Sequence, residues 1–338
     1  MTTPTAATQT PQQDYDADVV RHLRRNIVAQ LGNGMFGQTG FRLVQAPTFL
    51  PAYLFMLTGS DFLVGLARSL QALGTVVSPV MGAAMIGHRR RIKLPLLAVG
   101  LAMRLQILGF ATAGFYLTGH SLVACLMLFM TLMGFFQGMS QVSMNVLRAK
   151  VIPVKRRGIV SGMRNFLAGV TSASVAYFAG DYFIDENLLG NGYSALFLLA
   201  FGITTVGLFA LAATVEPAAV TVRARDSVRG TFSSFRPLLQ ADPAFARFFL
   251  ARAMASFGRM AMPFYILFAG TRMELSGTVL GLLTTIWMLT SSVTNLAWGL
   301  LADHSGHRRV IIITLALWAA SHLQLLFVNG LPGMITFF

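Results

Sequence analysis

"LAWGLLADHSGHRRVIIIT", Leu296 to Thr314, sets an aspartate, two histidines and two arginines between runs of aliphatic residues. An apolar run that is stopped by a short charged turn and resumes at once is how a chain reads when it leaves hydrocarbon, turns in water and re-enters. Gly306 permits the tight turn, and Gly299 lets a neighbouring helix come close. Arg308 and Arg309 suit an anionic inner leaflet.

The same alternation extends over the whole chain. Its 338 residues are 55% hydrophobic and only 11% charged, with a mean hydropathy of +0.64. That balance excludes a soluble globular domain and fixes the fold class as an all-α integral membrane protein. Apolar stretches long enough to cross about 30 Å of hydrocarbon are predicted at 27–57, 62–86, 94–117, 121–147, 159–180, 194–215, 246–270, 275–301 and 309–328. "LPGMITFF" (331–338) opens another, giving about nine full spans and the start of a tenth.

A net charge of +14 invites a nucleic-acid reading, but the basic residues sit in the short loops between spans. They gather at Arg21 to Arg25, Arg89 to Lys93, Arg148 to Arg157, Arg223 to Arg247 and Arg308 to Arg309, against Arg272 alone in the intervening loops. The positive-inside rule then places the N-terminus in the cytoplasm, membrane lipids replace nucleic acid as the partner of the charge, and a bacterial inner membrane is the expected location. Residues 1–26 lack an apolar signal segment and read as a disordered cytoplasmic tail. A six-span bundle over 27–215, a cytoplasmic linker over 216–245 and a partial second bundle over 246–338 follow. Cys125 is the only cysteine, so no intramolecular disulfide forms.

The second bundle repeats the first. "GHRR" at Gly306 to Arg309 mirrors "GHRRR" at Gly87 to Arg91, and Arg259, Pro263 and Tyr265 mirror Arg42, Pro47, Pro51 and Tyr53. With Asp303, the loop Gly299, Gly306, Arg308, Arg309 resembles the cytoplasmic signature of the major facilitator superfamily, and "IPVKRRGIVSGMRNFLAG" (152–169) resembles that superfamily's fifth span. The first-half copy departs from the signature, with Ala84 where the aspartate would fall. The resemblance implies two six-span halves around a solute site at the midplane, moved by alternating access. It also implies that the chain is C-terminally truncated, about three spans short of two complete halves.

In the resembled family the charged loop faces the cytoplasmic end of span five. There Asp303 would meet helix-terminal N–H groups near Gly158 to Gly162 together with Arg164, a gating latch worth about 0.3 to 2 kcal/mol. A loop that only sets topology is the plainer alternative; it needs the arginines but neither the aspartate nor the glycines.

Charges inside spans cost about 2.5 to 3.5 kcal/mol, so each needs a reason. Arg42 and Arg259 lie near the middle of the first and seventh spans. Gly34, Gln38, Arg42 and Gln45 are spaced to share one helical face, as are Arg252, Ser256, Arg259 and Pro263. Gln141 on the fourth span and Asn295 on the eighth extend the polar lining, alongside Gly134, Gln137, Gly138, Asn145, Trp287 and Ser291. Paired guanidiniums suit a carboxylate or phosphate, an arrangement that resembles organophosphate/phosphate antiporters. Alternatively each arginine bonds to carbonyls freed by Pro47, Pro51 or Pro263.

No carboxylate lies within a span, and His322 is the single titratable candidate there, more simply read as a packed hydrogen-bonding residue. Nothing in the sequence nominates catalysis, a metal or a cofactor. Two functional readings stand: a secondary active transporter of a small solute, an organic or phosphate-like anion in its finer form, or a transport-inactive remnant or membrane-embedded interaction subunit.

Overall fold

The computed structural model describes residues 11–222, 230 and 235–338, and the side chains of Arg252, Ser256, Arg259, Gly299 and Asp303 lie outside the described residues. Regular structure among the described residues is entirely helical.

The predicted first span is built in pieces. After α1 (Pro11–Arg21) come α2 (Leu23–Gly32), a π-helical turn (Asn33–Gln38), α3 (Thr39–Gln45) and α4 (Phe49–Thr58). Ala46 leaves helical geometry with ψ of 146°, because Pro47 disfavours a helical residue before it and cannot donate a backbone hydrogen bond. Pro51 sits in the first turn of α4, where a missing N–H costs little. The remaining first-half helices are α5 (Asp61–Gly87), α6 (Lys93–Tyr116), α7 (Gly119–Val151), α8 (Val154–Phe178) with a π-helical extension (Ala179–Asp185), and α9 (Gly192–Ala212). The second half holds α10 (Phe235–Ala241), α11 (Pro243–Gly258), α12 (Phe264–Gly270), α13 (Gly277–Ser305), α14 (His307–Leu325) and α15 (Leu331–Phe337).

Five of these helices are long and apolar enough to cross a membrane by length and composition: α5, α6, α7, α9 and the 277–295 part of α13. The first and seventh predicted spans are interrupted helices, broken around Pro47 and over Arg259 to Pro263. The protein is a multi-pass membrane protein. Part of the tail read as disordered is ordered: in α1 the Tyr15 hydroxyl donates to the Lys150 carbonyl at 3.0 Å and Val19 is buried.

Within the first half, α5 lies along α7 because glycines alternate across the contact. A Cβ on Gly74, Gly82 or Gly134 would strike the partner's backbone, and one on Gly138 would meet Ser78 and the Thr75 carbonyl. In lipid, where apolar burial drives no association, such close approach supplies the dispersion contact that holds helices together. Helix α6 packs between α7 and α9.

Two hydrophobic cores result, and their membership matters. The larger joins both halves, with Phe49, Tyr53, Phe110 and Phe197 packed in one cluster with Ile266, Leu280, Leu283 and Met288. The smaller, at the arginine-rich end, consists of first-half residues such as Ile86, Ile92, Leu147, Val160 and Leu211.

Candidate functional site

The two halves face each other along α8 and α13. On α8, Gly158, Gly162, Gly169 and Ala173 recur at steps of four, seven and four, which aligns them on one helical face, and Gly180 follows in the π-helical extension. At the end away from the arginine clusters this face is closed. A Cβ on Gly180 would collide with the Gly277 carbonyl, and one on Gly281 would strike the Ala176 carbonyl and Gly180. Gly277 and Gly281 thus form a Gly-x-x-x-Gly contact with α8 and its extension. Further along, the Thr285 hydroxyl donates to the Ala173 carbonyl at 3.0 Å, and Thr48 pairs by its hydroxyl with Thr284, both fully buried. Gly169 packs on Ser292. Beyond Gly169 no further contact follows among the described residues: Gly158 and Gly162 are exposed, with open space where their Cβ atoms would be.

Where the contact ends, arginines gather. Arg164, 7% exposed, donates through Nη1 and Nη2 to the Gln38 amide oxygen at 2.7 and 2.6 Å, with that amide oriented by the network. Its Nη2 also reaches Asn33 Oδ1 at 3.4 Å, and Gly34 leaves room for its stem. Arg104, 3% exposed, donates to the carbonyls of Thr204 and Gly100, each at 2.7 Å, and lies over the Phe41 ring. Arg68 donates to Gln71 at 3.1 Å and to the Ala46 carbonyl at 3.0 Å, the carbonyl freed just before Pro47.

Arg42 is the exception. Its guanidinium reaches Ser292 Oγ, in the opposite half, and the Asn165 carbonyl, both at 3.5 Å, the outer limit of a hydrogen bond. Arg42 and Arg148 stand close enough to Arg164 for their charges to repel it. Among the described residues no carboxylate pairs with any of these arginines; the ion pairs there are His22 with Asp18 and Lys150 with Glu216.

The other predicted residues scatter. Gln45 accepts from Gln137 at 3.1 Å, Gln141 and Asn295 are exposed, and Asn145 accepts from Arg148 at 2.7 Å. The π-helical turn lies between Gly34 and Gln38 and shifts Gly34 out of line, while Gln38, Arg42 and Gln45 follow a regular α-helix and meet different neighbours at successive heights. Gln38 faces α8, Gln45 faces α7, and Arg42 lies between α8 and α13. In the gating motif, Gly306 takes φ of +82° and Arg308 and Arg309 are exposed, while the Asp303 side chain is outside the described residues. Arg164 serves Gln38 and Asn33. The paired tyrosines of the repeat each meet a polar partner in their own half: Tyr53 accepts from Asn191 at 3.0 Å, and Tyr265 meets His322 Nε2 at 2.6 Å.

Two carboxylates carry roles the sequence did not reveal. Glu216, 7% exposed, accepts from the Ile92 and Lys93 N–H groups at 2.7 to 2.8 Å and from Lys150 Nζ at 2.8 Å, so it caps α6 and ties α7 to it. Lys93 returns the favour by donating to the Ala212 and Thr214 carbonyls. Asp185, at the other end, accepts from the N–H groups of Gly277 and Thr278 and from the Thr278 hydroxyl. Burial pushes its carboxyl up, but those hydrogen bonds outweigh it and hold the group below the ordinary aspartate range.

Residues 248–338 match the family model of the Major Facilitator Superfamily. Over most of its length the chain also superposes on a solved D-xylose-proton symporter, with TM-score 0.55 at 15% identity, covering 82% of this chain and 68% of that one. A second match is the xylose transporter XylE from E. coli in a partially occluded inward-open conformation, with TM-score 0.51 at 14% identity, covering 84% and 74%. The family match thus covers residues 248–338, and over most of its length the chain shares the fold of these transporter structures. No curated protein sequence matches it. The matched stretch contains the loop at Gly299 to Arg309 whose residues resemble the superfamily's signature.

Proposed function

We propose that the protein is a secondary active transporter that moves a small solute across the bacterial inner membrane by alternating access, with its N-terminus in the cytoplasm. The observation that carries this reading is the shared face of α8 and α13, closed by Gly180, Gly277 and Gly281 at one end and open at Gly158 and Gly162 at the other. A pair of half-bundles that meet at one end and part at the other is the geometry a rocking mechanism needs. The positive-inside rule makes the open end cytoplasmic.

The finer reading is that the solute is an anion, organic or phosphate-like, held by Arg42. Arg68, Arg104 and Arg164 have short bonds to carbonyls or amides, whereas Arg42 has two bonds at 3.5 Å and touches both halves. A partly buried guanidinium without a counter-charge is costly, and a carboxylate or phosphate would complete it bidentately. Uptake into proteoliposomes, and solute protection against thermal unfolding, test this. Inorganic phosphate or a small carboxylate should protect the parent and fail to protect Arg42→Ala. Protection by D-xylose alone overturns the anion class, and a parent that moves none of these solutes favours the remnant reading.

A further inference from the structure

Resting on the alternating-access reading, we propose that Asp185 is the outer latch of the transport cycle, a first-half carboxylate that caps the second-half helix α13 and must let go before the site opens outward. Asp185 ends the π-helical extension of α8. Its Oδ1 accepts from Gly277 N at 2.6 Å and its Oδ2 from Thr278 N at 2.7 Å and Thr278 Oγ1 at 2.6 Å. Asp181 stands by, 3.4 Å from the same hydroxyl.

The cap belongs to the interface and to neither half alone. Gly277 is the first residue of α13, so the groups held by Asp185 are among the orphan donors every helix leaves at its N-terminus. Anionic capping of such donors gains from the helix dipole and from charge-assisted hydrogen bonding. Directly beneath, Gly180 meets Gly277 and Gly281 so closely that the cap forms only when the backbones are in contact. The exposed position of Asp185 keeps the latch weak, since water can replace every bond it makes. A latch of a few-fold in equilibrium holds the outer end shut and still yields on each cycle.

The test uses two thiol reporters in a Cys125→Ser background. Thr284→Cys, fully buried between the halves near the closed end, reports outward opening. Gly162→Cys, in open space on the facing surface of α8, reports inward opening. A membrane-impermeant maleimide is applied from either side of oriented vesicles. Asp185→Asn should raise outside labelling of Thr284→Cys by about two- to fivefold, the range of a helix-terminal charge, and lower inside labelling of Gly162→Cys in step. Asp185→Glu should restore the parent pattern. Unchanged Thr284→Cys labelling overturns the latch, and so does a rise without a fall at Gly162→Cys, which would mean local fraying. Uptake by the parent tests the transport reading separately, so a failed latch in a transporting protein is told apart from a protein that does not transport.

Discussion

Glu216 offers the sharpest quantitative test of how the first half is held together. Its side chain is 2% exposed and that of Lys150 is 13% exposed, with 2.8 Å between them. Glu216→Ala removes an acceptor from four interactions: two with Ile92 N, one with Lys93 N and one with Lys150 Nζ. Breaking a buried ion pair from one side costs about 3 to 5 kcal/mol because the remaining charge is stranded. Lys150 keeps the Arg90 carbonyl at 2.9 Å, and Lys93 is half-exposed, so the low end applies. An expected loss of about 3 kcal/mol follows. Lys150→Met should cost less, about 1 to 2 kcal/mol, because the carboxylate it leaves behind is still held by two backbone N–H groups at the start of α6. At roughly 2 °C per kcal/mol the apparent Tm falls by about 6 °C for Glu216→Ala and by about 2 to 4 °C for Lys150→Met. Cys125, partly buried and the only cysteine, makes the assay simple: a thiol-reactive dye reports its exposure during heating in detergent. The double variant should lose less than the sum of the two. Equal effects of the single variants, or a Glu216→Ala loss under about 1 kcal/mol, would refute the account of Glu216 as a cap as well as an ion-pair partner.

Other outcomes follow from the same geometry. Gly180→Val places side-chain atoms against the Gly277 carbonyl; it should hold the outer end apart and raise outside labelling of Thr284→Cys, and unchanged labelling would count against a closed glycine contact. Arg104→Met should change the apparent Tm little, by less than about 1 kcal/mol equivalent, since a buried cation replaced by an apolar side chain of similar size is often neutral; a loss above about 3 kcal/mol would show that its bonds to Thr204 and Gly100 outweigh desolvation. Acid should loosen the outer end. The Asp185 carboxyl is lowered in the closed state, so its contribution is fully present above the ordinary aspartate value and is lost as pH falls through the lowered one. Outside labelling of Thr284→Cys by an acid-tolerant thiol reagent should rise across that acidic window in the parent and stay flat in Asp185→Asn.

Membrane class, helical content and the family resemblance of residues 248–338 were legible in the sequence, because each depends on composition, local hydropathy or a short motif. The loop at Gly299 to Arg309 needs nothing beyond eleven neighbouring residues to be read. Even the interrupted first span was half visible, in Pro47. The π-helical turn that follows Gly32 was not, since no residue in "NGMFGQ" demands i to i+5 bonding over i to i+4. Nor could the sequence say which helices would surround the stripe, whose Gln38, Gln45 and Arg42 make three separate contacts, to α8, α7 and α13.

The sequence by itself determined which residues sit in hydrocarbon and which turns carry charge, since transfer between water and lipid acts on each residue where it stands. Tertiary structure alone decided which charges are satisfied. Position along a span does not say which arginine is satisfied: Arg104 finds a carbonyl 100 residues away, while Arg42 meets Ser292 across 250 residues at the limit of bonding. Glu216 read as the first residue of a linker and Asp185 as a loop carboxylate. Both become caps only when another helix start is brought to them, and hydrogen bonds that depend on ångström-scale approach between distant segments leave no periodic trace in the chain.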